Sequence, residues 1–247
     1  RKYTAPLKNK QIFPLPVKEP TIFFVDYDSP QLIMRGYNRS VKYDFSLTPV
    51  VNLYNEYFSG SMNAIVFQEM REKRSLAYTA AASFSTPNRP NSFFTNASYI
   101  GTQNDKLADA MAAFTELFQE MPTSEANFAM AKEALISSIR TSRTTKRSII
   151  FNYLAYLRMG FDTRKPVSQY YFNISPTLTL QDIVDFNHKY IRNQHMNYIL
   201  LGKESDIDFQ ALKPYGKLKK LTLEQIFGWS STTQSTRITR EGTMLRN

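Results

Sequence analysis

The chain contains no cysteine among its 247 residues. This absence excludes a disulfide framework, a thiolate nucleophile and every zinc or iron–sulfur site that depends on cysteine ligands. It says little about compartment, because a domain of this size needs no disulfide even in an oxidising environment. The chain also lacks any apolar run near the roughly 20 residues that a membrane-spanning helix needs, so we expect no membrane span.

Histidine is almost as scarce, because only His188 and His195 occur. Their spacing does not match a motif in which two histidines of one short helical stretch bind a metal. We interpret both as surface or cap residues and assign them no metal. The sequence therefore predicts no metal site and no cofactor within the chain itself.

Apolar and basic residues are plentiful. Hydrophobic residues make up 42% of the chain and aromatic residues 14%, which is enough for a packed core without disulfides or metals. The formal net charge is +10, which permits nucleic acid, acidic lipid or acidic peptide as partner without choosing among them. The aromatic stretch SFFTNASY lacks the basic interleaving of RNA-binding sheets, so we interpret it as core and regard nucleic acid as the less favoured partner.

Composition divides the chain into three parts. Residues 1–20 contain four prolines and are typical of an extended linker from a preceding domain. Residues 21–227 carry helical and strand periodicities throughout, and we interpret them as one domain. Residues 228–247 are polar and aperiodic, which is typical of a C-terminal tail.

The periodicities predict an α+β domain of two layers, a mainly antiparallel sheet packed against helices. Residues 21–27 and 31–38 are interpreted as neighbouring strands, residues 76–85 and 92–100 as a hairpin, and residues 196–201 as a last strand. Helical spacing with cap residues predicts helices that start near residue 48 and over residues 64–73, 104–120, 149–159 and 180–191, with a long helix after Thr123. Strand pairs separated by helix pairs favour this layered arrangement.

Three arginines of the predicted long helix, Arg140, Arg143 and Arg147, follow i, i+3, i+7 spacing and so share one helix face. A solvated helix face is the preferred interpretation. The alternative is an electropositive surface that either attracts acidic peptide or forms an interface with an acidic half of a longer parent protein.

The segment NEYFSGSMNAIVFQEMREKRSLAYTA resembles a conserved stretch of insulinase-type (pitrilysin-family) zinc peptidase repeats. The residues that match are Gly60, Phe67, Gln68, Arg71, Glu72, Leu76, Ala77 and Tyr78. The flanking FFVDYDSPQLIMRGYNRS resembles the opening hairpin of the family, and DIVDFNHKYIRNQHMNYILLGKESDI resembles its closing helix and strand. The likeness runs from about residue 20 to about residue 227. Serines stand at three places where the family usually has glycine: Ser59, Ser61 and Ser75.

The resemblance implies the fold of mitochondrial-processing-peptidase-like metallohydrolases and a non-catalytic repeat from the C-terminal half of such an enzyme. Family members enclose a chamber, and one repeat binds zinc through H-x-x-E-H in the helix after the second strand. That helix here reads SLTPVVNLYNEYF and contains no histidine. The resemblance therefore implies a domain that is inactive alone, with zinc on another domain of the parent protein.

Arg71 and Tyr78 stand where the second-half repeats of the family place an Arg and a Tyr that reach the scissile peptide. The resemblance therefore implies that both bind substrate, and guanidinium and phenol groups are suitable donors to a developing oxyanion. The strand edge at residues 78–86 is expected to add backbone pairing to an extended peptide. Taken alone, Arg71 is more typical of a helix-end cation and Tyr78 of a half-buried strand aromatic.

The function that the resemblance implies is a substrate-positioning, chamber-closing domain of a zinc metalloendopeptidase. Its partners would be a peptide or unfolded-protein substrate and the zinc-bearing half of the parent. Two alternatives stay open: a catalytically inactive structural or assembly subunit of the same fold, and a basic nucleic-acid-binding module.

Overall fold

A computed structural model of the chain describes residues 13–228. Six strands form one sheet in the order β3-β4-β2-β5-β1-β6. The strands are β1 (Thr21–Asp26), β2 (Gln31–Lys42), β3 (Thr79–Ser85), β4 (Phe93–Gln103), β5 (Asn197–Gly202) and β6 (Lys217–Lys220).

Eight α-helices connect and cover these strands within the described residues. They are α1 (Thr48–Ser59), α2 (Ile65–Phe67, continued by a π-helix at Gln68–Lys73), α3 (Leu107–Gln119), α4 (Glu125–Thr141), α5 (Lys146–Arg158), α6 (Val167–Ile174), α7 (Leu180–Tyr190) and α8 (Leu223–Phe227). None of the helices in residues 13–228 is long and apolar enough to cross a membrane.

The sheet is mostly antiparallel, which confirms the predicted α+β class. Strand β4 pairs antiparallel with β2 and β3, and β2 pairs antiparallel with β5, whereas β1 pairs parallel with β5 and β6. The prediction that the first two strands are neighbours is wrong. Strand β5 lies between them, with Tyr198 opposite Gly36 on one side and Ile22 on the other. A short turn between two strands limits their separation but does not exclude an inserted third strand.

The helices pack on one face of the sheet. The alternation of buried and exposed side chains along each strand follows from this. In β2, Leu32 and Met34 are buried beneath the helices, whereas Ile33 and Arg35 point to the opposite face and are exposed. Strand β5 repeats the pattern, with Leu200 fully buried. The apolar residues at alternate positions therefore build the core that holds the helical layer, as expected for a sheet with one covered face.

Helix starts that were predicted from cap residues are confirmed at two places. The Ser124 side chain accepts a hydrogen bond from the backbone N–H of Asn127 at the start of α4, and Thr179 forms a capping box with Asp182 at the start of α7. The predicted apolar stripe of α3 is likewise buried: Leu107, Met111, Phe114 and Phe118. Helices α6 and α8 and strand β6 were not predicted.

The three arginines predicted on one helix face do not share a helix. Helix α4 ends at Thr141, Arg143 lies in the connection, and Arg147 belongs to α5. The chain leaves the helical conformation at Ser142, where ψ is 129°, and Thr145 then caps α5. Polar, β-branched residues favour such a break, so the helical spacing across it had no structural meaning.

Helix α5 contributes little to the core, because none of its residues is buried. Six large apolar side chains of this helix are exposed by about half or more: Ile149, Ile150, Phe151, Tyr153, Leu154 and Leu157.

The domain limits stay a prediction at both ends. Residues 1–12 of the predicted linker and residues 229–247 of the predicted tail lie outside the described part of the chain. Within the described part, the Phe13 ring packs edge-on against Phe93, and the carbonyl of Pro14 accepts a hydrogen bond from Arg39.

Candidate substrate-binding site

A cavity of about 320 Å³ lies between the π-helix, the start of β3 and the end of β4. The two residues predicted to bind substrate, Arg71 and Tyr78, both line it. The remaining described lining residues are Ser75, Leu76, Ala77, Thr102, Gln103 and Lys106. The loop from the π-helix to β3 thus brings two predicted site residues to one concave surface.

Arg71 is positioned by the π-helix. The next residue towards the N-terminus, Met70, is fully buried and anchors this turn in the core. The Arg71 side chain is about half exposed, its guanidinium carbon lies 5.1 Å from the centre of the Phe67 ring, and its Nε lies 3.7 Å from a Glu72 carboxylate oxygen. A π-helical turn inside a helix widens it locally and occurs frequently at functional sites.

Ser75 gives the connecting loop its sharp turn, because its φ is +50°, in the left-handed region. This is one of the places where the resembling family has glycine, and the geometry explains why glycine suits it. The next residue, Leu76, forms two backbone hydrogen bonds. It donates its N–H to the Met70 carbonyl at 2.9 Å, and its carbonyl accepts a hydrogen bond from the Thr102 hydroxyl at 2.6 Å. The loop is therefore fixed to both the helix and the sheet.

Tyr78 comes directly before β3 and donates its backbone N–H to the Gly101 carbonyl at 2.8 Å. Its side chain is 52% exposed. The side-chain Nε2 of Gln103 donates a hydrogen bond to the Tyr78 hydroxyl oxygen at 2.8 Å. Because Gln103 uses an acceptor position of that oxygen, the phenolic proton remains available to a ligand. Sequence reasoning missed Gln103, since only the register of the β3–β4 hairpin brings it beside Tyr78.

The cavity is electropositive. Its described lining contains two cations, Arg71 and Lys106, and no carboxylate. Lys106 ends the 3-10 turn Asn104–Lys106 that leads from β4 into α3, and it is half-buried. Sequence reasoning missed Lys106 as well, because nothing in its local pattern distinguishes it from an ordinary helix-start lysine.

Strand β3 lies at the edge of the sheet, but helix α1 covers part of that edge. Ser59 accepts a hydrogen bond from the Ala82 N–H at 2.9 Å, and the Asn55 side chain bonds both the N–H and the carbonyl of Phe84. The expectation that residues 78–86 form an open edge is therefore too broad. Ala80, two residues before Ala82, has the same orientation in the strand, so its backbone groups face the outer edge of the sheet.

Helix α1 occupies the place of the family's zinc helix, and its residues do not fit a zinc ion, because it carries no histidine. In residues 13–228, no cluster of three or more His, Cys, Asp or Glu side chains is placed to hold a metal. His188 lies near the end of α7. His195 lines a different cavity of about 720 Å³ together with Lys213 and Lys217, apart from Arg71 and Tyr78.

Comparison with solved structures supports the fold. A peptidase M16 inactive domain from Pseudomonas fluorescens superposes with a TM-score of 0.62 at 17% identity, covering 83% of this chain and 48% of that one. A conserved protein from Enterococcus faecalis V583 gives 0.64 at 16% identity, covering 81% and 46%. A protease from Helicobacter pylori gives 0.62 at 11% identity, covering 81% and 48%. The chain thus spans about half the length of these structures.

Comparison with curated protein sequences gives no significant match. The family model described as the peptidase M16 inactive domain matches residues 2–135, which is more than half of the chain and includes α1, the π-helix, Arg71 and Tyr78. The resemblance inferred from the motif around Arg71 is thereby confirmed: the chain belongs to the peptidase M16 inactive domain family.

Proposed function

We propose that this domain binds peptide for a peptidase whose zinc-bearing half lies outside the chain, and that it closes the substrate chamber of that enzyme. Arg71 and Tyr78 donate hydrogen bonds to the backbone carbonyl groups of the bound peptide. The observation that supports the proposal is that both donors line a single cavity of about 320 Å³.

The chemistry of the two donors suits this role. The Arg71 guanidinium is permanently charged and offers several N–H donors in a fixed plane, and Tyr78 offers a neutral hydroxyl with its proton free. A hydrogen bond that involves a charged group contributes about 1.5–3 kcal/mol to binding. The backbone of Ala80 supplies an additional pairing position for an extended peptide beside the cavity.

The test is hydrolysis of a quenched fluorescent peptide by the complete parent protein in the presence of zinc. We expect Arg71→Ala and Tyr78→Phe each to lower kcat/KM by about 100- to 1,000-fold, because loss of one donor to a developing oxyanion typically costs about 2.7–4 kcal/mol. Arg71→Lys should recover only part of the loss, since lysine keeps the charge but not the planar donors. Lys73→Ala serves as a matched control, because Lys73 ends the same π-helix and pairs with Glu69 instead of lining the cavity.

Two outcomes would contradict the proposal. An active parent whose kcat/KM is unchanged in both variants would show that these residues do not contact substrate. A parent that is inert with zinc would favour a structural or assembly subunit of the same fold. The chain by itself is expected to release no product in this assay.

A further inference from the structure

The cavity beside Tyr78 carries more positive charge than recognition of a peptide carbonyl requires. We infer that it accepts a carboxylate of the bound peptide and that Lys106 is the residue that selects for it. This inference rests on the proposed function, because it names the class of peptide that the same site prefers. The carboxylate belongs either to an acidic side chain or to the C-terminus of the peptide.

Lys106 differs from the other cations nearby because it lacks an anionic partner. Lys73 pairs with Glu69 at 2.6 Å, and Arg74 forms two hydrogen bonds with the Glu116 carboxylate, at 2.7 and 3.1 Å. Within residues 13–228, no carboxylate lies within 4 Å of the Lys106 ammonium. An anionic ligand that enters the cavity therefore pairs with Lys106 without having to displace an existing carboxylate partner.

The structure holds Lys106 in place from both sides. Asn104, two residues before Lys106, is buried. Its side-chain amide donates to the Ser29 carbonyl at 2.8 Å and accepts a hydrogen bond from the Lys203 N–H at 3.0 Å. The following Leu107 is buried in the core at the start of α3. The backbone of Lys106 is therefore anchored on both sides beside the cavity that this residue lines.

The remaining groups of the cavity complement a carboxylate as well. Arg71 supplies a second positive charge, which Glu72 at 3.7 Å offsets only in part. The Tyr78 hydroxyl keeps its proton available to a ligand in the same cavity, because its oxygen accepts from Gln103. A cavity of about 320 Å³ is at the small end of ligand sites, which suits one acidic side chain or one chain terminus.

The experiment measures binding of short fluorescein-labelled peptides to the full 247-residue chain by fluorescence anisotropy. One series carries a single glutamate at each position in turn, with glutamine counterparts, and a second series compares a free C-terminal carboxylate with a C-terminal amide. We expect one acidic form to bind at least about 10-fold more tightly than its neutral counterpart, a difference of about 1.4 kcal/mol. In the first series this result identifies an acidic side chain as the ligand, and in the second the C-terminus.

The variant Lys106→Met keeps the length of the side chain and removes the charge. It should abolish the preference for the acidic peptide over its neutral counterpart, because the affinity for the acidic peptide falls by at least about 10-fold. Lys73→Met removes the same charge close to the cavity but outside its lining, and it should keep the preference. Lys106→Gln is a second variant that keeps a polar end, and thermal unfolding of each variant confirms that it is folded.

Failure of the inference is distinguishable from failure of the proposed function. If the wild-type chain binds acidic and neutral peptides equally, and Arg71→Ala weakens both, the inference is overturned and the proposed function stands. If no peptide of either series binds, both are overturned. If Lys106→Met and Lys73→Met reduce the preference for acidic peptides to the same extent, the preference comes from general surface charge. That result would also overturn the role of Lys106.

Discussion

The side-chain amide of Asn55 forms two hydrogen bonds with the backbone of Phe84. Its Nδ2 donates to the Phe84 carbonyl at 3.0 Å, and its Oδ1 accepts from the Phe84 N–H at 2.8 Å. One helix residue thus replaces the neighbouring strand that β3 lacks on its outer side. An edge strand with free backbone groups is a template for unwanted pairing, so this contact also protects the sheet.

Asn55→Ala should therefore destabilise the domain by about 1–3 kcal/mol, because it leaves the backbone groups of the buried residue Phe84 without their partner. The measurement is urea unfolding followed by far-UV circular dichroism. Asn52→Ala, on the same helix, is the matched control and should change the free energy of unfolding by less than about 0.5 kcal/mol. Equal effects of the two substitutions would contradict the importance of the Phe84 contact.

Ser75→Gly should raise the free energy of unfolding by up to about 1 kcal/mol. Ser75 has a φ of +50°, and this conformation costs a residue with a Cβ about 1–2 kcal/mol, part of which glycine loses again through its greater freedom in the unfolded chain. Ser75→Val should be clearly destabilising, because a β-branched residue tolerates a positive φ poorly. Chemical denaturation checks both variants, and a loss of stability in Ser75→Gly would be inconsistent with a strained turn.

Tyr198 should make the stability of the domain fall in strongly alkaline solution. Burial, and next the neighbouring Tyr215, raise the pKa of Tyr198 to about 12. Below about pH 10 the phenol is neutral in both folded and unfolded chains and adds no pH dependence. Between about pH 10 and pH 12 the unfolded chain ionises and the folded chain does not, so the free energy of unfolding falls as pH rises, by about 2 kcal/mol.

Tyr198→Phe should flatten this alkaline slope, as measured by urea unfolding at a series of pH values. Tyr171, whose pKa burial also raises to about 12, provides an independent comparison through Tyr171→Phe. Each substitution should remove the part of the pH-dependent fall in the free energy of unfolding that its own tyrosine causes. A slope that neither variant changes would show that these phenols are not the groups responsible.

Leu53 and Leu154 should respond very differently to truncation. Leu53 is fully buried in α1, so Leu53→Ala should cost about 2–5 kcal/mol through lost burial and the cavity left behind. Leu154 in α5 is 47% exposed, so Leu154→Ala should cost less than about 0.5 kcal/mol. Urea unfolding of the isolated chain checks both values. A large cost for Leu154→Ala would mean that another surface covers α5 in solution.

Much of the architecture could be predicted because its signals are local. Alternation in residues 31–38 marked one buried and one exposed face of β2, and the cap residues Ser124 and Thr179 marked where two helices begin. The motif around Arg71 and Tyr78 indicated the family, since it combines residue types and spacing over a continuous stretch. These features depend on neighbours a few residues apart, and helix and strand periodicities report them directly.

The errors and omissions share a different cause. The insertion of β5 between β1 and β2 brings together residues 176 positions apart, as when Ile22 lies opposite Tyr198. The periodicity of each strand fixes which side chains face the core, but it does not fix which strand lies alongside. Likewise, the spacing of Arg140, Arg143 and Arg147 was compatible with one helix until the break at Ser142 separated them.

The sequence by itself determined the fold class, the family and the absence of the zinc helix motif, because these depend on residue types and on spacing along the chain. Only the tertiary structure decided the composition of the cavity. Gln103 and Lys106 join Arg71 and Tyr78 because the hairpin register and the turn into α3 bring them there. The tertiary structure also decided that Asn55 and Ser59 close part of the β3 edge, since hydrogen bonds between distant segments form only once the layers have packed.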